Sequence, residues 1–314
     1  ALSNRLDVKG SATLLGIILS WSTAPLFIRQ FFHEGITIWD QNFWRFAWLL
    51  LGLWLTVWLR FRKEGSLHHF NRRVWLLGLI PALPNLGGQI FYPWSVYYAE
   101  PGMMSLLQKQ YIIWAVLLGV LFHREERRLF RSGIFWIGLL GAVSGSLGVI
   151  LFRQDVKLQT ELLGILFVTI GAISWAGYGL GIRIITRTAG PLVSYTVVTT
   201  YTILGLLVLS FCLGKPLSLI HQTGRIHLLI LVSTLFNLYL PHMGLYWVIQ
   251  RMGVMVTQTS LLCTAFFTAI FSWLIFSEQL TAGQWCSGVI LILGAGLTLF
   301  AQERLRTIPE PELI

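Results

Sequence analysis

Apolar residues along this chain occur in long runs bounded by charged residues, glycine and proline. The runs do not alternate polar with apolar residues, and they are about twice as long as the ~10 residues of a membrane β-strand. A helix needs ~20 apolar residues to cross the ~30 Å hydrocarbon layer of a membrane. The pattern therefore predicts ten membrane-spanning helices, spans 1 to 10, near 12–30, 37–59, 74–98, 102–122, 133–152, 162–182, 191–213, 226–249, 254–276 and 283–301.

The composition supports this interpretation. Of 314 residues, 55% are hydrophobic and only 11% are charged, whereas a soluble protein carries roughly 25% charged residues. This excludes a soluble enzyme and leaves almost no room for a separate soluble domain. We predict an all-α polytopic membrane protein, and we expect its first apolar run to be a retained span because no small-residue cleavage motif follows it.

The net charge of +10 is explained by the predicted loops. If both termini lie in the cytoplasm, sixteen Lys and Arg residues fall on the cytoplasmic side, five fall outside, and Arg45 and Lys109 lie within spans. Cytoplasmic loops of membrane proteins carry this excess. The sequence thus predicts a multi-pass protein of the inner (plasma) membrane with both termini cytoplasmic, and it gives no reason to expect a nucleic-acid partner.

The chain also repeats itself. Trp21, followed eight residues later by Arg29, recurs as Trp175 followed by Arg183. Further matches keep the same order at offsets of 151–155: Asn85 with Asn237, Trp94 with Trp247, Gly102 with Gly253, Ser-Leu-Leu at 105–107 with 260–262, and Phe122 with Phe276. We predict two five-helix repeats, 1–156 and 157–314. Because five is odd, the second repeat enters the membrane from the opposite side, an arrangement typical of transporters.

Several segments carry a family resemblance. They are SWSTAPLF at Trp21, Arg45-Phe46, the end of span 4 at Glu125-Glu126, GLLGAVSGSLGVILF in span 5, and SWAGYGLGIR, FSEQL and GVILILGAGLTLF in the second half. In this order and spacing they resemble the EamA-type transporters of the drug/metabolite transporter superfamily. The resemblance implies a ten-helix carrier of small metabolites such as amino acids, amines or sugar derivatives. Its central cavity would be built mainly from spans 1–4 and 6–9, with spans 5 and 10 at the periphery.

One departure from that family concerns the middle of spans 4 and 9. The family often has a proline there, whereas this chain has Gln110-Tyr111 and Ala265-Phe266. Proline therefore gives no reason to expect a kink at these two places.

Two cations within spans are the clearest candidate site residues, because a charge in hydrocarbon is costly. Arg45 and Lys109 lie roughly 10–12 Å from the outer ends of their spans at 1.5 Å per residue, and the sequence offers no carboxylate at that depth. They suit a substrate with a carboxylate or phosphate. Alternatively, Arg45 binds helix-end carbonyls or Asp40, and Lys109 extends toward the outer surface.

Aromatic and polar residues complete the predicted cavity. The rings can stack a planar ligand or bind an ammonium group, and the amides and the imidazole can form its hydrogen bonds. The alternative for each of these side chains is helix packing or an interhelical hydrogen bond. For His242 the two interpretations are a proton carrier and a packing residue. With the two cations, the predicted substrate-binding residues are Trp21, Trp44, Asn85, Gln89, Tyr111, Trp175, Tyr178, Asn237, His242 and Gln258.

We expect a secondary transporter of a small zwitterionic or anionic metabolite, such as an amino acid, working by alternating access. The alternative substrate is a cationic or amphipathic drug or amine. A membrane-embedded enzyme is disfavoured because the sequence has no nucleophile, acid/base or metal-ligand arrangement, and a channel would not need an inverted duplication. No metal or cofactor is expected. Because no carboxylate lies at the midplane, exchange or facilitated diffusion is favoured over proton coupling. The sequence is compatible with import or export and with a monomer or a homodimer.

Overall fold

The computed structural model describes residues 8–62, 69–122, 129–152, 158–252 and 254–306. The helices within these ranges are Val8–His33, Ile38–Phe61, Arg72–Tyr98, Pro101–Gln108, Tyr111–Phe122, Gly133–Leu151, Leu158–Leu213, Gly224–Thr234, Leu240–Met252, Val254–Leu261, Thr264–Phe276 and Ala282–Arg306. A 3₁₀ turn occupies Pro216–His221, and a π-helical turn at Leu235–Tyr239 joins the two helices on either side of it.

These helices form ten spans. Gly190, with φ of 75°, and Pro191 divide Leu158–Leu213 into spans 6 and 7, because glycine adopts this backbone conformation readily and proline cannot continue the preceding helix. Spans 4 and 9 each consist of two shorter helices, and span 8 contains the π turn. The all-α polytopic membrane fold is thereby confirmed. We call the end where span 1 begins the inner end and the opposite end the outer end, after the predicted orientation.

Span 6 is longer than predicted. It continues to residue 189, whereas the sequence pattern ends it at 182 and assigns Arg183 and Arg187 to a loop. Arginine is a good helix former, so the helix proceeds through both residues and stops only at Gly190. Charge marks the edge of the apolar run but not the end of the helix.

Spans 4 and 9 are broken although neither has a proline at the break. Span 4 turns at residues 109–110 and span 9 at 262–263, with backbone bonds to the third preceding residue, as from Cys263 N to Ser260 O at 3.0 Å. In span 9, the carbonyl of Leu261 accepts hydrogen bonds from the Lys109 ammonium at 3.3 Å and the Thr264 hydroxyl at 2.9 Å. Side-chain donors thus occupy a carbonyl of the helix ladder, a known cause of kinks.

Spans 5 and 10 pack against each other through small residues. A Cβ atom added to Gly145 would lie 2.7 Å from Leu291 Cα, and one added to Gly138 would lie 2.8 Å from Thr298 N. Only glycine permits two helix backbones to approach this closely, which is a common basis of helix association in membranes. This pair of spans contacts the rest of the bundle through spans 4 and 9.

Asp40 ties span 2 to the outer end of span 7. Its carboxylate accepts hydrogen bonds from Thr37 Oγ1 at 2.7 Å, Ser210 Oγ at 2.9 Å and the Lys215 backbone N–H at 2.9 Å. Thr37 in turn caps the first turn of span 2. These bonds satisfy a side chain that is only 3% exposed, as a carboxylate away from water requires.

Candidate functional site

A cavity of about 700 Å³ lies between the two halves of the bundle. Most of its lining comes from spans 1, 3, 4, 6, 8 and 9, whereas span 2 contributes Arg45 and span 10 contributes Leu299. The described residues of spans 5 and 7 contribute none. Span 7 differs here from the expectation, because it packs behind span 3, with Val197 close to Gly78 and Leu86 close to Gly205.

The structure brings most of the predicted site residues together. Those that line the cavity are Trp21, Arg45, Gln89, Lys109, Tyr111, Trp175, Tyr178, Asn237, His242 and Gln258. Among the described lining residues there is no aspartate or glutamate, whereas Arg45, Lys109, Arg183 and Arg187 are all cationic. The cavity is therefore a positively charged chamber with aromatic walls.

Lys109 sits at the break of span 4 and reaches the break of span 9. Its ammonium donates hydrogen bonds to the Leu261 carbonyl and the Thr264 hydroxyl. Lys109 and Thr264 are 155 residues apart, the same offset that aligns 105–107 with 260–262, so each is the counterpart of the other in the two repeats. A residue in contact with its own counterpart lies beside the pseudo-two-fold axis. Lys109 therefore lies at the centre of the protein. Both of its hydrogen-bond partners, the Leu261 carbonyl and the Thr264 hydroxyl, are neutral.

Arg45 is buried at 3% exposure and has few partners. Its Nη1 donates a long hydrogen bond of 3.4 Å to Gln41 Oε1, and its Nε has no hydrogen-bond partner among the residues that the structure describes. The predicted alternative, a bond to Asp40, is not formed, since the carboxylate of Asp40 is taken by other donors. A buried guanidinium with unused donors is suited to an acidic ligand group.

Span 8 is irregular at the level of the cavity, and this frees carbonyl groups for span 1. Pro241 has no N–H to continue the ladder, and the π turn shifts the register of the helix. The freed Phe236 carbonyl accepts a hydrogen bond from Ser20 Oγ, and the Asn237 carbonyl accepts one from Trp21 Nε1 at 3.0 Å. Trp21 is thus held rigidly in the wall.

The His242 ring is fixed on both sides. It stacks on Tyr195 with the ring centroids 4.6 Å apart and an interplanar angle of 8°, and it meets Trp21 edge to face at 5.3 Å. Its Nδ1 lies 2.7 Å from the Leu238 carbonyl. His242 therefore has a packing role and a position in the cavity wall at the same time.

The remaining rings line the other side. Trp175, the counterpart of Trp21, lies against Gly88 of span 3, where an added Cβ would be 2.9 Å from the indole, and it meets Tyr178 edge to face at 5.6 Å. Tyr111 donates a hydrogen bond of 3.3 Å to Gln258 Oε1. The repeat-related tryptophans thus occupy equivalent helix pairs, span 1 with span 8 and span 6 with span 3.

Two predicted site residues do not line the cavity. The Trp44 indole donates to the Pro216 carbonyl at 2.8 Å at the outer end, since adjacent residues on a helix point about 100° apart and Arg45 faces inward. Asn85 donates to Thr202 Oγ1 of span 7 at 2.8 Å. Although four residues from Gln89, it lies where span 3 packs against span 7, so the alternative of an interhelical hydrogen bond describes it correctly.

Polar contacts join three segments at the outer end of the bundle, just beyond the cavity. Ile28 lines the cavity in span 1, and the next residue, Arg29, donates to the Val96 carbonyl at 3.1 Å and lies 3.7 Å from the Glu278 carboxylate. Glu278 also accepts a bond from Ser272. One arginine thus joins span 1 to span 3 and to the loop that follows span 9, above the chamber.

The inner end is different. There the lining includes Arg183 and Arg187, both exposed. The cavity therefore extends from Lys109 to the inner surface of the bundle. Arg183 is the repeat counterpart of Arg29, so two equivalent arginines occupy the inner and the outer end.

Some lining residues were not predicted, among them Tyr92, Ser105, Thr264, Arg183 and Arg187. The repeat itself contained the signal for Thr264, because the offset that aligns 105–107 with 260–262 places it opposite Lys109. No sequence signal distinguishes Tyr92 from the other aromatic residues of span 3.

Comparison with known proteins agrees with this architecture. The model of the EamA-like transporter family matches residues 8–152 and 162–300, once in each half. An "uncharacterized transporter" of Haemophilus influenzae is 27% identical over 188 residues, which cover 59% of this chain and 61% of that relative. The crystal structure of another protein, 14% identical, superimposes with a TM-score of 0.62 over 96% of this chain and 99% of that one. This similarity indicates a shared fold. This chain belongs to the EamA-like transporter family.

Proposed function

We propose that this transporter carries a small anionic or zwitterionic metabolite, such as an amino acid, by alternating access around the central cavity. The observation that carries the proposal is the charge of that cavity. Arg45 and Lys109 both line it, and its described lining contains no aspartate or glutamate. An acidic group on the substrate would supply the missing negative charge, and the aromatic walls would hold its body.

A counterflow assay in liposomes tests the substrate class. We expect vesicles preloaded with unlabelled amino acid or organic acid to accumulate the labelled compound without a pH gradient, because no carboxylate is available among the described lining residues to carry a proton. Vesicles preloaded with an organic amine serve as the comparison. Accumulation of the amine alone would favour the cationic alternative, and a strict requirement for a pH gradient would contradict exchange.

The two ends of the bundle support the alternating-access part of the proposal. The outer end is bridged by Arg29, Val96 and Glu278, while the cavity reaches the inner end at Arg183 and Arg187. Repeats 1–156 and 157–314 would exchange these arrangements when they rock against each other. In the inner (plasma) membrane with cytoplasmic termini, the present state would be open to the cytoplasm.

Opening of the outer end can be measured with a thiol placed in the cavity. Ser105→Cys, in a chain whose cysteines at 212, 263 and 286 are replaced by serine, would be protected from an impermeant maleimide added outside. We expect Glu278→Gln to increase the labelling rate severalfold, because it removes the charge facing Arg29 at a site only 12–19% exposed, where an ion pair is less screened than at the surface.

Glu34→Gln is the matched control for this experiment. Its partner Arg225 lies at the same end but is 69% exposed, so the pair contributes little and labelling should stay near the parent rate. Equal rates in Glu278→Gln and Glu34→Gln would show that Arg29 and Glu278 do not close the outer end.

A further inference from the structure

Two arginines lie at the inner mouth of the cavity, on one face of span 6. Arg183 and Arg187 are four residues apart, which places their side chains one helical turn from each other. Both line the cavity and both are exposed. Like charges at this spacing repel each other, so the space beside them favours a negatively charged molecule. We call these two residues the mouth pair.

The mouth pair is separate from the central cations. Gln110, next to Lys109 in span 4, donates a hydrogen bond of 3.2 Å to Thr169 Oγ1 of span 6, which gives the level of Lys109 along that helix. At 1.5 Å per residue, Arg183 lies about 21 Å and Arg187 about 27 Å closer to the inner end. These separations exceed twice the ~8 Å Debye length at physiological salt. The mouth pair therefore acts on a molecule that is entering the cavity and not on one already bound at Lys109.

The equivalent positions at the outer end carry a different charge. By the repeat offset of 154, Arg183 corresponds to Arg29 and Arg187 corresponds to His33. Arg29 lies 3.7 Å from the Glu278 carboxylate, and histidine, unlike arginine, is not a permanent cation. At the inner end both positions hold arginine, and the described lining residues include no aspartate or glutamate. The inner mouth thus concentrates positive charge.

We propose that the mouth pair collects anions from the solution at the inner end and so sets the charge selectivity of entry into the cavity. A cleft with low-dielectric walls focuses the field of its charges, which raises association rates by roughly 10- to 1,000-fold. The field acts on net charge, so an organic acid enters faster than a zwitterion, and a cation is slowed. The inference rests on the proposed function only in taking an anion as the substrate, since Arg45 and Lys109 have no part in it.

The reactivity of a thiol inside the cavity measures this field. Ala115→Cys, in a chain whose cysteines at 212, 263 and 286 are replaced by serine, places the thiol on the cavity wall, in the part of span 4 that leads from Lys109 to the inner end. Its rate constants are measured in nanodiscs of neutral lipid with two methanethiosulfonates, the anionic sulfonatoethyl and the cationic trimethylammonioethyl reagent. Compared with a small free thiol, we expect a preference for the anion of about tenfold. Salt at about 1 M, where the Debye length is ~3 Å, should largely remove it.

Arg187→Gln assigns this preference to the mouth pair. It should lower the ratio of the anionic to the cationic rate constant about threefold, because removing one positive charge slows one reagent and speeds the other. Arg183→Gln should act in the same direction. Arg131→Gln is the matched control: this arginine is also exposed at the inner end, but it precedes span 5 and does not line the cavity. The ratio should not change in the control.

The outcomes separate this inference from the proposed function. Equal ratios in Arg187→Gln and Arg131→Gln would overturn the inference and leave the proposed function standing, because that function depends on Arg45 and Lys109. A preference of the parent for the cationic reagent would contradict both. If Ala115→Cys does not react, the measurement is repeated with Leu180→Cys, another position on the cavity wall. Two unreactive positions would show that the cavity is not reached from the inner end, and the inference would be wrong.

Discussion

Lys109→Gln should lower the kcat/KM for an anionic or zwitterionic substrate by about 10- to 100-fold. The ammonium is the charge at the centre of the cavity, and a hydrogen bond to a charged group contributes about 1.5–3 kcal/mol, where every 1.4 kcal/mol is about tenfold. Glutamine can still donate to Leu261 O and Thr264 Oγ1, the two partners of the lysine. The kink of spans 4 and 9 should therefore persist, and initial rates of uptake into liposomes measure the effect.

Stability distinguishes a lost binding group from a lost fold. The unfolding temperature of Lys109→Gln should equal or exceed that of the parent, because the substitution removes a desolvated charge whose hydrogen bonds go to two neutral groups, the Leu261 carbonyl and the Thr264 hydroxyl. Lys215→Gln is the matched control, since that side chain is exposed at the outer end and its uptake should not change. Unaltered uptake of an anionic substrate by Lys109→Gln would refute the assignment of Lys109.

Gly145→Ala should destabilise the protein by about 1–3 kcal/mol, the usual cost of overpacking. The new methyl group would lie 2.7 Å from both Leu291 Cα and Ser287 O. Both are backbone atoms, which cannot move aside as a flexible side chain would. Spans 5 and 10 must therefore separate. Thermal unfolding in detergent measures the loss.

Gly16→Ala provides the comparison for this prediction. An added Cβ there meets nothing within 4 Å, and alanine is a better helix former by ~1 kcal/mol, so stability should be unchanged or slightly higher. If both substitutions have the same effect, the close approach of spans 5 and 10 is wrong.

The positions of the spans were predictable because a bilayer imposes one length and one polarity on every helix that crosses it. Arg45 and Lys109 were predictable for the same reason, as charges that hydrocarbon does not tolerate alone. The proline-free breaks were not, because the bond that opens span 9 at Leu261 comes from Lys109 in another span. A property created by two distant segments leaves no trace in the local pattern of either.

The face that each residue presents was harder to predict than its depth. Asn85 and Asn237 are related by the repeat and have the same chemistry, yet one binds span 7 and the other binds span 1 beside the cavity. Span 8 contains a π turn followed by Pro241, whereas span 3, with Pro84 next to Asn85, is a continuous α-helix. The repeat therefore conserves the arrangement of the helices more closely than the hydrogen bonds between them.

The contact between Lys109 and Thr264 limits how alike the two halves can be. The side chains at these two equivalent positions of the repeats touch each other. Two lysines here would place like charges against each other and each would oppose the ionisation of the other. A central charge in such a protein must therefore belong to one half alone, so the carrier can be symmetric in shape but not in chemistry.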